Sequence, residues 1–124
     1  MFRIVVLFAA VLLLLNGFAP PYAPVTWLAD TTYEFGDIRQ GKEVKVVFAF
    51  RNASADSLYI DNVRTSCGCT SPSWEDVRVP PDSIGRIDIF YDADETGYFS
   101  KDIKVYFNGY RRAERLLITG YVEP

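Results

Sequence analysis

The chain has 124 residues, 49% of them hydrophobic and 15% aromatic, with a formal charge of -3 and no histidine. That length suits one domain with a modest core. The missing imidazole excludes Ser-His-Asp and Cys-His nucleophile activation, the two-histidine iron site and every histidine-containing zinc site. No basic stripe is present to displace counterions, since Arg111-Arg112-Ala113-Glu114-Arg115 carries its own carboxylate, so no nucleic acid is expected as a partner.

Met1-Phe2-Arg3 leads into an unbroken apolar run from Ile4 to Leu15, and then into small residues as far as Ala19. A positive start, a short apolar run and small residues describe a signal peptide over residues 1–19, since a membrane span needs about 20 apolar residues. Export to the periplasm or the cell exterior follows. Pro20 directly after Ala19 is a poor first residue for a cleaved chain, so an uncleaved anchor is the alternative, and only then is a membrane a partner. No cysteine follows the apolar run, which excludes a lipid-modified cysteine. Pro20, Pro21 and Pro24 make residues 20–30 an extended tether, because the residue before a proline is turned away from helix. The folded domain is expected over residues 31–124.

From Thr31 onward the pattern has a period of two, broken by turn residues at short intervals. Thr32 to Phe35 begins it. Val44, Val46, Phe48 and Phe50 then alternate with Lys45, Val47, Ala49 and Arg51, and Asn52 to Ser57 supplies turn chemistry. Leu58 and Ile60 open a strand toward Val63, and Val77 to Val79 forms a short one before the Pro80-Pro81 turn. Ile87, Ile89 and Tyr91 alternate, as do Ile103, Val105 and Phe107. After the Asn108-Gly109 turn, Leu116, Ile118, Gly120 and Val122 share a face. About seven short strands without a helix predict an all-β, immunoglobulin-like sandwich of two packed sheets.

Phe35-Gly36-Asp37-Ile38, the Val44 to Asn52 strand, Ser66-Cys67-Gly68-Cys69-Thr70, Pro72, Trp74, Pro80-Pro81, Gly97-Tyr98-Phe99-Ser100-Lys101 and Gly120-Tyr121-Val122 occur in that order. Together they resemble the domain-of-unknown-function family 1573, over about Thr31 to Val122, with Ser-Cys-Gly-Cys-Thr as the most specific block. The resemblance implies an exported, immunoglobulin-like domain of bacteria with an outer membrane, and no established activity. The chain departs from the family's habit in lacking a lipid-anchor cysteine and in having Pro81-Asp82 where Pro-Gly is usual.

Cys67 and Cys69, the only two cysteines, are the candidate site. Residues two apart in an extended strand have Cα atoms about 6.5–7 Å apart, whereas a disulfide wants about 4.4–6.8 Å. A bridge therefore needs a bend, and Gly68 is the residue freest to make one. Closing so small a loop is worth about 1.6 kcal/mol in chain entropy, against about 3 kcal/mol for fifteen residues, so the pair is a weak staple. Three readings stand side by side: a packed or bridged corner whose sulfurs fill space beside Trp74, a thiol-redox pair, and a soft-metal site. Two thiolates alone satisfy Cu(I) but not zinc, which makes Cu(I) the most credible metal, with another soft metal as the alternative.

Trp74 is the candidate anchor for a protein partner. Tyr106, Tyr110 and Tyr121 are candidates for an exposed aromatic patch. Asp92 to Gly97 imitates the start of a calcium loop, but its twelfth position is Ile103 rather than a bidentate glutamate. Asn52-Ala53-Ser54 fits a glycosylation sequon and reads first as a turn. No nucleophile–base pair can be named. The expected function is a non-catalytic binding or scaffolding module at the bacterial cell envelope, with an envelope protein as partner; the alternative is a Cu(I) or thiol-redox site at Cys67 and Cys69.

Overall fold

Alternation of large apolar and polar side chains over nine residues, Val44–Asn52, buries Val46, Phe48, Phe50 and Asn52 on one face and leaves Lys45, Val47 and Arg51 in water. A half-buried strand of this kind is stable only when its apolar face meets another sheet. The computed structural model describes residues 23–124 and supplies that second layer. Its strands in chain order are β1 (Val25–Trp27), β2 (Thr32–Arg39), β3 (Val44–Asn52), β4 (Ile60–Thr65), β5 (Thr70–Trp74), β6 (Ile84–Tyr91), β7 (Gly97–Phe107) and β8 (Glu114–Glu123).

Two four-stranded sheets result, in the orders β1-β3-β6-β5 and β2-β8-β7-β4. All neighbours are antiparallel except β2 and β8, which run parallel. The core lies between the sheets. Phe50, Ile87 and Ile89 from the first meet Ile103, Val105, Phe107, Leu116 and Ile118 from the second, each at 2% exposure or less. Edge-on aromatic contact joins the sheets where Phe50 meets Phe107 at 5.1 Å, and Tyr91 stacks on Phe99 at 4.1 Å. A Cβ at Gly120 would come within 2.7 Å of the Phe99 ring, so this strand position accepts only glycine without displacing that ring.

The all-β sandwich matches the sequence reading, and the number of strands is eight. Two local expectations are corrected. The tether proposed for residues 20–30 ends earlier: Val25–Trp27 is β1, paired with Phe50 to Asn52, with Val25 5% exposed and Trp27 edge-on to Phe50 at 5.7 Å. The prolines before β1 favour extended backbone, which suits a strand, and the burial of Val25 with the contact of Trp27 on Phe50 turns that segment into a paired one. Val77 to Val79 is not a strand; it contributes a single bridge, Leu58 to Val79. Thr70–Trp74, which holds a proline, is the strand in its place. The proposed signal peptide, residues 1–19, lies outside the described residues, as do Pro20 and Pro21.

Candidate functional site

The chain passes from one sheet to the other between β4 and β5; the cysteine pair lies on this passage and Trp74 at the far end of β5. β4 ends at Thr65, residues 66–69 bend, and β5 begins at Thr70. Within the bend Cys67 and Cys69 are joined as a disulfide with Cα atoms 5.3 Å apart, inside the range such a bond requires. The bend is held by backbone and hydroxyl groups: the Cys67 carbonyl accepts hydrogen bonds from Thr65 Oγ1 at 3.1 Å and from the Thr70 amide at 3.4 Å. The Asp92 amide donates to the Cys69 carbonyl at 3.0 Å, fastening the bend to the end of β6. The expected bend forms at Gly68, but it does not depend on glycine: its φ is not positive and a Cβ there meets nothing within 4 Å.

Beside the disulfide is a shallow cavity of about 300 Å³ lined by Cys67, Cys69, Tyr91, Asp92, Asp94, Glu95 and Lys101. Tyr91 is buried, and its phenol is raised above the ordinary value of 10.0, first by burial and then by the charges of Asp92, Glu95 and Asp94. At neutral pH it is a protonated hydrogen-bond donor rather than a base. The same three carboxylates, offset by one lysine, oppose the charge of any thiolate formed here, whereas reactive cysteines sit in electropositive surroundings. As a disulfide the pair presents no thiolate to Cu(I), and among the described residues no group of three or more His, Cys, Asp or Glu is placed to hold a metal ion.

Trp74 is not beside the cysteines. It stands at the other end of β5, about 16 Å from Cys69 at the usual strand rise, half-buried and packed against the core. One side of its ring forms the wall of a groove of about 430 Å³. Phe50 and Ile60 line the groove on the core side, and Val77 and Ile84, 52% and 54% exposed, stand at its mouth. Glu75, Arg86 and Asp88 add charge along it, and Asp61 and Asp76 flank an adjoining hollow on Trp74. The sequence pointed to Trp74 alone, because Val77 and Ile84 carry no pattern that distinguishes a groove wall from a strand residue.

The remaining sequence candidates separate. Tyr121 pairs across the ladder with Tyr98, and Tyr106 lies eight positions along β7 from Tyr98, about 26 Å away. Tyr110 is in the turn after β7. The three tyrosines therefore form no single patch. Asp92 to Gly97 is a turn closed by the Asp94 amide on Asp92 Oδ1 at 3.1 Å, and Ile103 is a core residue. Asn52 is 1% exposed, its amide nitrogen donating to the carbonyls of Asp56 at 2.8 Å and Val79 at 2.9 Å. It is a buried turn lock.

Two antiparallel-dominated sheets with a crossover at their edges define an immunoglobulin-like β-sandwich domain, and similar solved structures share that fold. The PapD-like domain 7 of human CEP192 has 10% identity and a TM-score of 0.69, covering 86% of this chain and 89% of that one. A protein of unknown function from Porphyromonas gingivalis W83 has 17% identity and a TM-score of 0.66, with 82% and 50% covered. The VesB protease of Vibrio cholerae has 16% identity and a TM-score of 0.62, with 82% and 32% covered. The chain thus spans half of the second protein and about a third of the third, and at these identities the likeness is one of fold. The chain belongs to the family described as "Protein of unknown function (DUF1573)", whose profile matches residues 26–122. No curated protein matches it.

Proposed function

We propose that this domain is a non-catalytic binding module exported to the bacterial cell envelope, which grips a segment of an envelope protein in the groove at Trp74. The observation that supports this is the groove itself: Trp74, two exposed aliphatic side chains, Val77 and Ile84, and the polar and charged Ser73, Glu75, Arg86 and Asp88 line one hollow. A concave site that sets a few apolar side chains among polar and charged ones can fix both the place and the orientation of a bound segment, and tryptophan is enriched among the energetic anchors of interfaces. Glu75, Asp61 and Asp76 beside Trp74 favour a segment that carries a cation next to its apolar anchor. With no histidine in the chain, no imidazole is available to activate a serine or cysteine.

The partner engages through side chains rather than by adding a strand to β5. The Asp92 amide bonds to the Cys69 carbonyl, so Ser71 and Ser73 point their backbone groups at β6 in the antiparallel register. Pro72 then faces the free edge, where it offers no N–H.

A photo-crosslinking residue placed at Val77 in cells tests the reading. It should give a discrete adduct with an envelope protein, lost in Trp74→Ala and absent when the same residue replaces Ser100 on β7. An adduct unaffected by Trp74→Ala, or none at Val77, would overturn it.

A further inference from the structure

Four of the sandwich's edges are blunted, and one stretch is open. β1 is only three residues long, β2 carries a bulge between Glu34 and Asp37 with Gly36 at φ 71°, β4 shifts register between Ile60 and Asn62, and β5 has Pro72. These are the ordinary devices by which exposed edges are kept from pairing. β3 has none along its first half. β1 pairs only with Phe50 to Asn52, and Leu28 extends the contact by one hydrogen bond, to the Ala49 carbonyl at 3.0 Å. The chain then leaves for the other sheet.

The free backbone groups on this stretch follow from the ladder. The Asn52 amide bonds to the Ser83 carbonyl on the β6 side, so the even-numbered residues of β3 are bonded to β6 in their register. The odd-numbered ones face outward, and beyond Ala49 these are Lys45 and Val47, each with an N–H and a C=O unpaired among the described residues. The Lys45 ammonium does not guard them. It reaches back across the sheet to Asp88 at 3.6 Å and lies 5.7 Å from the Phe90 ring centroid, both on β6.

We propose that a second copy of this chain adds to this edge, β3 against β3, antiparallel about a two-fold axis at Val46. That register sets Lys45 opposite Val47 of the second copy and Val47 opposite its Lys45, so each pair exchanges two hydrogen bonds and all four free groups of each copy are used. The two registers on either side fail. An axis at Lys45 opposes two ammonium groups, and one at Val47 needs the Ala49 position that Leu28 occupies. With the axis at Val46, Val44 meets Phe48 on the core side and no like charges oppose each other. The joined sheet runs β5-β6-β3-β3-β6-β5, so the two Trp74 grooves lie at its opposite ends.

The test is sedimentation of the full chain between about 1 and 200 μM, with Val47 replaced. Val47 is 43% exposed, so the variants keep the fold, which a thermal melt verifies. Val47→Lys faces Asp88 of its own chain, which the fold accepts, but opposes Lys45 of the second copy and should weaken the dimer about fivefold, whereas the uncharged, β-branched Val47→Thr should leave it within about twofold of wild type. Amides of Lys45 and Val47 should gain exchange protection with concentration. A chain that stays monomeric throughout overturns the proposal, as does an association indifferent to the charge at position 47. Protection of those amides only when an unrelated extended peptide is added also overturns it.

Discussion

Asn52→Ala removes four hydrogen bonds from one buried side chain, and their surroundings set the cost. Asn52 Nδ2 donates to the Asp56 and Val79 carbonyls, and Oδ1 accepts from the Ser54 amide at 2.9 Å and the Ser54 hydroxyl at 2.7 Å. The two bonds to Ser54 reach a half-exposed residue that water can serve, so they cost little. The two donated bonds end on carbonyls that keep a second donor, Ser54 Oγ at 2.8 Å on Asp56 and the Leu58 amide at 2.9 Å on Val79, so neither acceptor is left bare and each lost bond counts for about 1 kcal/mol net. The sum is about 2 kcal/mol. For a domain of this size each kcal/mol lowers the melting temperature by about 4–8 °C, so the variant should melt about 10 °C below wild type.

The same bond ties Asn52 to the groove, because Val79 lines it and pairs with Leu58 through amides at 2.9 and 2.6 Å. Asn52→Ala should therefore also speed amide exchange at Leu58 and Val79 under conditions where the rest of β3 is unchanged. Urea unfolding with an unaltered slope checks that the loss is one of stability. Ser54→Ala is the control and should cost under about 1 kcal/mol. If Asn52→Ala costs no more than Ser54→Ala, the buried amide is not the lock described.

Gly68→Ala should change stability by less than about 0.5 kcal/mol, because the position has open space and no left-handed backbone; Gly120→Ala should cost about 1–3 kcal/mol by pressing on Phe99, and paired thermal melts compare them. Cys67→Ser with Cys69→Ser, or reduction, should lower stability by at most about 1.6 kcal/mol; a larger loss in urea unfolding would mean that the bridge organises more than its own bend. Tyr91 predicts an alkaline loss of stability. Its folded value lies above 10.0, so below pH 10.0 the phenol is neutral in both states; as pH rises further the unfolded chain releases the proton first, and stability falls until the folded phenol also titrates. Tyr91→Phe should flatten that fall in melts between about pH 9 and 12, and an unchanged slope would refute the assignment.

The parts of the fold legible in the sequence are those where one strand buries one face. Val44–Asn52 could be read without its neighbours because the core selects every second residue, and the same holds for Ile103 to Phe107 and Leu116 to Val122. β1 and β5 could not. Each owes its existence to a neighbour, β3 in one case and β6 in the other, and each lies in or next to proline, whose local preference points away from a paired strand. Pro72 is tolerated only because its nitrogen faces an unpaired edge, a fact of topology and not of spacing. Alternation likewise says which face Tyr106 and Tyr121 take but not how far apart they lie along the sheet.

The candidate site was legible in its residue types and not in its arrangement. Cys67, Cys69 and Trp74 are close in sequence, yet a strand separates them, and what joins them is that both ends of that strand are clamped. At the first end the disulfide bend is fastened through the Cys69 carbonyl to Asp92. Beyond Trp74, the Leu58–Val79 bridge and Asn52 hold the segment that closes the groove. In the function proposed above, an anchor held in this way would lose little freedom on meeting a partner, and such preorganisation adds affinity. It also gives a weak three-residue bridge a reason to exist: its effect on global stability is small, but it fixes where β5 starts, and therefore the register in which Trp74 meets Ile87.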